Sequence, residues 1–226
     1  MDFSIYDTLL SLPLFQGLSK HDFDGILAKV RFDFSTISEG ETFISRGSLC
    51  THFVFLLNGR IISHRTLADG KLEFCEEIEA PAMLEPQSMF GIDPTFKKDY
   101  IACEDIGLLK IEKQYLYSEL YKYSICRMNL LNMLSGRIQV MESGLWALQE
   151  THIRERIANI VAGLSEYTSG RKEVRVRMED LAAILGETRL NVSRTLNELE
   201  KDGKIILKRG GFTVLTTDFK QYDCYD

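Results

Sequence analysis

Between Met178 and Leu196 the chain reads Met-Glu-Asp-Leu-Ala-Ala-Ile-Leu-Gly-Glu-Thr-Arg-Leu-Asn-Val-Ser-Arg-Thr-Leu, and few backbones satisfy every position of it. Apolar residues recur at helical spacing on both sides of Gly186. Ala182 is small, as two closely crossing helices require. Gly186 accepts the positive φ of a tight turn. Leu181, Leu185, Val192 and Leu196 have the spacing to fill the wedge between two helices. Thr188 stands where an N-cap belongs. The pattern predicts a helix from Met178 to Leu185, a turn at Gly186 and a second helix from Arg189 to Lys201, closed by Asp202-Gly203. Upstream, Ile153, Ile157, Ile160, Val161 and Leu164 predict an amphipathic helix, and Val174-Arg175-Val176 a short strand. Downstream, Ile205–Leu207 and Phe212–Leu215 flank Arg209-Gly210-Gly211 and predict a β-hairpin.

Before this unit lies a proline-free stretch, about 113–150, with helical patterning. Leu131, Leu134, Ile138, Met141, Leu145 and Leu148 follow one another at spacings of 3, 4, 3, 4 and 3. That is an a/d heptad stripe, narrow enough to suit another helix of the same kind. It predicts parallel dimerisation; packing on its own domain is the alternative. Trp146 beside the stripe reads as a packing anchor.

The first half changes texture at Arg31. Before it come short helical patterns at Tyr6–Leu10 and after Ser19, a plausible N-cap. After it come short β-like runs at 32–34, 42–44, 53–57, 60–63, 73–75 and 108–111. Asn58-Gly59 carries the signal of a type I′ hairpin, and Asp69-Gly70 marks another turn. Many short strands at this spacing predict a small antiparallel sandwich or jelly roll. The fold class is therefore α+β, divided into a β-roll domain over 1–118, a long helix over 119–150 and a winged helix-turn-helix over 151–226.

The second helix of the motif would present Arg189, Leu190, Asn191, Ser193 and Arg194 on its first turns. Arg suits guanine O6/N7, Asn suits adenine N6/N7, and Leu190 could touch a thymine methyl. Thr188 and Ser193 suit phosphate oxygens. Lys208 and Arg209 at the wing tip are either phosphate contacts or solvated charges. The net charge is -6, yet residues 171–211 carry 10 basic against 7 acidic residues, an asymmetry that fits a polyanion facing the C-terminal part.

The whole layout resembles the cAMP receptor protein/FNR family of bacterial transcription regulators. The resemblance rests on Leu14-Phe15-Gln16-Gly17-Leu18-Ser19, on Gly40-Glu41 with Gly47, on Leu57-Asn58-Gly59-Arg60-Ile61, and on Thr188 through Arg194. It implies an N-terminal cyclic-nucleotide-binding-type β jelly roll, a long dimerisation helix, and a winged helix-turn-helix that reads a palindromic operator. It also implies a homodimer, an effector in the roll that repositions the DNA-binding domains, and RNA polymerase as a further partner. The hinge would lie near Gln149–Ile153.

Two departures bear on the effector and the operator. The family's nucleotide pocket carries Phe-Gly-Glu and then Arg-Ser/Thr. Here Phe90-Gly91 is followed by Ile92, and the Arg position falls near Phe96-Lys97. Lys97 or Lys98 could hold phosphate as a point charge, without the bidentate fork of Arg. The pocket is accordingly assigned to Phe90, Gly91, Ile92, Lys97 and Lys98, with an unidentified small-molecule or redox effector and not cAMP. Leu190 replaces the Glu of many recognition helices, so the operator should differ from the best-known consensus.

Other chemistry is weakly signalled. The five cysteines are dispersed, without a CxxC or a Cys/His cluster, and none precedes Cys50. His52 and His64 lack a second ligand at a telling spacing. No cofactor, metal or haem is therefore expected, and Cys75 and Cys103 read as structural more readily than as redox sensors. No nucleophile–base constellation, phosphate loop or HExxH occurs, which argues against an enzyme. No apolar run approaches a membrane span and no basic leader precedes one, so a cytoplasmic protein is expected. A competing reading is a ligand-binding signalling module whose helix-turn-helix makes protein contacts.

Overall fold

The computed structural model of the protein describes residues 5–67, 69–146, 152–167 and 169–215. The chain divides into two compact units. One comprises Met1–Ser63 with Ile78–Gly136; the other comprises His64–Glu77 with Arg137–Asp226.

The first unit begins with helices α1 (Ile5–Ser11) and α2 (Lys20–Leu27). Ser19 caps α2, its hydroxyl accepting from the Asp22 amide at 3.1 Å. Along the chain, strands β1 (Asp33–Ile37), β2 (Thr42–Ile44), β3 (His52–Asn58), β4 (Arg60–Leu67), β5 (Leu72–Glu79), β6 (Ala82–Leu84), β7 (Asp99–Ala102) and β8 (Ile106–Glu112) follow, the end of β4 and most of β5 belonging to the second unit. Four of them form an antiparallel sheet in the order β1-β8-β3-β6. Strand β2 pairs antiparallel with β7. Phe53, Val54, Phe55 and Leu56 are all buried, because β3 sits inside its sheet. The N-terminal helices are tied on by aromatic packing. The Phe15 ring centroid lies 5.4 Å from that of Phe23 and 5.9 Å from that of Phe55. Each such ring pair adds about 0.5–1.5 kcal/mol beyond area burial.

One turn expectation fails. Asn58-Gly59 does not close a hairpin, because β3 and β4 belong to different sheets. Gly59 has φ +81°, but Asn58 is not in the left-handed region, so the type I′ geometry is missing. The Asn58 carboxamide oxygen instead accepts from the Gly107 amide at 2.9 Å and ends the β3–β8 ladder. Asp69-Gly70 does turn, both residues having positive φ.

The helical stretch after β8 is also broken. Helix α3 (Lys113–Ser118) is followed by a 3₁₀ turn at Leu120–Lys122, with Leu116 and Leu120 buried, and α4 runs from Ser124 to Trp146. Cys126 and Leu130 on α4 are buried. The α4 stripe behaves differently: Leu131, Ile138 and Met141 are 52%, 64% and 52% exposed. Leu134 is half-buried, and Leu148 and the side chains of Leu145 and Trp146 lie outside the described residues.

The second unit holds α5 (Ile153–Leu164), β9 (Lys172–Val176), α6 (Met178–Leu185), α7 (Arg189–Lys201), β10 (Ile205–Lys208) and β11 (Gly211–Val214). Its sheet runs β10-β11-β9, all antiparallel. The segment His64–Glu77 adds a further strand, with Leu72–Glu76 of β5 registered against Val176–Lys172 of β9. Leu72 and Phe74 of that segment join a core with Ile157, Leu181, Leu196 and Phe212. Glu76 and Lys172 are buried as an ion pair, 3.7 Å apart. Glu76 also accepts from the Glu166 and Tyr167 amides, and Lys172 donates to the carbonyls of Ser169 and Gly170. Burial pulls the Lys172 pKa below the usual lysine value, with Glu76 opposing the shift.

Candidate nucleic-acid interface

The turn between α6 and α7 is built as its residue types require. Gly186 has φ +64° and ψ +34°, a left-handed cap any side chain would strain. Its amide donates to the Ala183 carbonyl, and the Glu187 amide to the Ala182 carbonyl at 2.9 Å. Thr188 then caps α7, its hydroxyl accepting from the Asn191 amide at 3.2 Å. Thr188→Ala should lower the stability of this unit by about 0.5–2 kcal/mol, read as a fall in the thermal unfolding midpoint.

Leu181, Leu185, Val192 and Leu196 are all at most 3% exposed, so the wedge between the helices is filled. Burying Val192, Leu196 and Leu199 fixes the rotation of α7. The opposite face is thereby turned outward. Arg189, Leu190, Asn191 and Arg194 are exposed along its first two turns, and Ser193 is half-buried. Leu190 is 78% exposed, an apolar side chain without an internal role.

The outward polar groups rest on neighbouring acids. Arg189 lies 3.2 Å from Glu179, and Arg194 lies 3.9 Å from Glu198. The Asn191 amide group donates to Glu187 at 3.2 Å. Such exposed pairs contribute about 0–1 kcal/mol each, so an incoming polyanion displaces them at little cost. The hydrogen bond from Asn191, then that from Arg156, holds the Glu187 carboxyl below the usual glutamate range.

Arg156 was not legible as a functional residue. Its guanidinium, largely shielded, donates to the Leu185 carbonyl at 2.6 Å and to Glu187. It thereby fastens α5 to the turn that aims α7. Nothing in its helical spacing distinguishes it from other charged residues of α5. At the wing tip Lys208 and Arg209 are exposed, and Lys208 reaches Glu173 at 3.7 Å.

The residues assigned to an effector lie in the other unit. Phe90 packs under the Lys113 ammonium, which is 4.6 Å from the ring centroid, and against Tyr117. Gly91 and Ile92 are exposed, and Ile92 projects entirely into solvent. Lys97 is turned onto Asp93 and Thr95, and Lys98 is buried. Glu85 was not legible in the sequence as a buried acceptor. This fully buried residue has φ +39° and accepts from the Ser88 hydroxyl, the Lys97 amide and the Tyr100 hydroxyl at 2.7, 2.9 and 3.1 Å. A lone Glu before Pro86 carries no pattern that announces burial.

Residues 155–219 match the model of the Crp-like helix-turn-helix domain. Over 203 residues the chain is 26% identical to the cyclic AMP receptor protein of Thermus thermophilus, covering 88% of this chain and 90% of the relative. The crystal structure of the Thermus thermophilus catabolite activator protein superposes with a TM-score of 0.53 at 23% identity, covering 89% of this chain and 93% of that one. No described helix is long and apolar enough to cross a membrane.

Proposed function

We propose that this chain, which belongs with the Crp/Fnr family of transcription regulators, acts as a homodimer that places α7 of each copy in successive major grooves of a palindromic operator. The observation that carries the reading is the division of α7 into a buried face and a polar face bearing Arg189, Asn191 and Arg194. Arg189, Leu190, Asn191 and Arg194 are assigned to base edges. Thr188, Ser193, Lys208 and Arg209 are assigned to phosphates. RNA polymerase is the partner through which a bound dimer acts.

Dimerisation is assigned to the stripe from Leu131 to Leu148 within the helical region 119–150. Its support is the exposure of Leu131, Ile138 and Met141 on a helix whose Cys126 and Leu130 are buried. An apolar stripe left in water costs about 25 cal/mol per Å², which pairing recovers.

The effector is assigned to the β roll over 1–118, near Phe90, Gly91, Ile92, Lys97 and Lys98. The relative named for cyclic AMP gives one precedent for the ligand class. In this chain Ile92 stands where a ribose-binding Glu would, and Lys97 is engaged by Asp93, so a ligand other than cAMP is favoured. A redox trigger is the weaker alternative. Burial raises the Cys75 thiol above its ordinary pKa, and pushes Cys50 up to about 11 and Cys126 up to about 12. Thiols held protonated are poor redox sensors.

Arg189→Ala and Arg194→Ala should each cost about 1–3 kcal/mol of discrimination between operator and random duplex. Competition titrations at fixed salt check this. Equal losses on both DNAs would move the arginine from base reading to phosphate contact.

A further inference from the structure

We infer that Asp33, His52 and Glu112 form a binding site for a divalent transition-metal ion on the four-stranded sheet of the first unit. The reading is independent of the DNA-binding proposal. The three residues are far apart in the chain, and strand register brings them together. His52 of β3 stands directly opposite Glu112 of the central strand β8. Asp33 of β1 flanks β8 from its other side, opposite Lys110 and so diagonal to Glu112. Directly paired and diagonal side chains on one sheet face are within mutual reach. One ligand atom from each of the three residues lies within 4.8 Å of the other two, and all three residues are half-buried.

The chemistry of the donor set is specific. A neutral imidazole and two carboxylates supply one nitrogen and two anionic oxygens, a mixture that suits zinc, cobalt or manganese better than calcium. At metal–ligand distances of ~2.1 Å, donor atoms around one ion sit ~3.4 Å apart, so the side chains close in by about an ångström on binding. Three protein ligands leave further positions open for water or another donor.

The surroundings are arranged as such a site requires. The Thr51 hydroxyl lies 2.8 Å from Nδ1 of His52, which holds one ring nitrogen and leaves the other for an ion. Gln114 donates to Oε2 of Glu112, and Arg31 donates to Oδ1 of Asp33 at 2.8 Å, so each carboxylate is oriented and keeps a second oxygen. The Arg31 charge lies against Asp33 and offsets part of the two carboxylate charges, which sets the affinity below that of a closed structural site. No histidine spacing announces this, because the ligands come from three strands.

The test titrates chelator-stripped full-length protein with Zn²⁺, and separately with Co²⁺ read by its visible absorption. The expected result is one ion per chain at micromolar to sub-millimolar concentration. His52→Ala and Glu112→Gln should each weaken binding at least tenfold, and Thr51→Val by about tenfold. Far-UV circular dichroism should match wild type in all three, and Asp33→Asn gives a second isosteric check. The proposal is overturned if His52→Ala and Glu112→Gln take up the ion as tightly as wild type, which would assign uptake to other groups. It is equally overturned if folded wild type binds neither ion at millimolar concentration.

Discussion

Replacing Leu134 and Ile138 together by Asp should convert the protein to monomers and weaken operator binding by a factor of about 10²–10⁴. The size follows from linkage between half-sites. When one α7 of a dimer is seated, the second sees its half-site at an effective concentration near millimolar, an advantage that vanishes once the copies separate. Four aspartates facing one another across a parallel helix pair add repulsion in a water-poor seam. The substitutions leave Leu130 and Cys126, the buried positions among the described side chains of α4, untouched. Sedimentation velocity and operator titration read the two halves of the prediction. A mutant that remains dimeric places the interface elsewhere.

The second large effect concerns stability. Glu76→Ala leaves the Lys172 ammonium, only 1% exposed, without its carboxylate, and removes the carboxylate that accepts from the Glu166 and Tyr167 amides. Breaking a buried pair in this way costs about 3–5 kcal/mol, a large part of the ~5–15 kcal/mol by which domains are stable. The unfolding transition of the second unit should fall by more than about 10 °C in calorimetry. The double change Glu76→Leu, Lys172→Met removes both charges and should recover much of the loss, because a hydrophobic replacement avoids the desolvation penalty of the pair. Equal destabilisation by the single and double variants would show that the packing of Glu76, and not its charge, matters.

Local chemistry explains what could be read from the chain. The caps at Ser19 and Thr188 and the glycine turn at Gly186 are settled by neighbours within four residues, and each forms as expected. The α+β class followed from runs and turns of the same local kind, as did the polar face of α7. Asn58-Gly59 has equally good local chemistry and misled, because the sheet to which β4 belongs is decided by long-range packing. The same limit hid Glu76 and Lys172, charged residues whose burial depends on β5 registering against β9. It also hid Asp33, His52 and Glu112, which only the β1-β8-β3 order unites. The hinge assigned to 149–153 falls largely outside the described residues.

Selection of bound sites from a pool of random duplexes, with and without cell extract to supply the effector, tests the central reading most directly. The expected product is a two-fold symmetric site whose half-sites lie one helical turn, ~34 Å, apart, bound with an affinity that falls steeply as salt rises. Enrichment of non-palindromic sequences only, or no enrichment in either condition, would contradict a dimer that reads DNA through paired α7 helices.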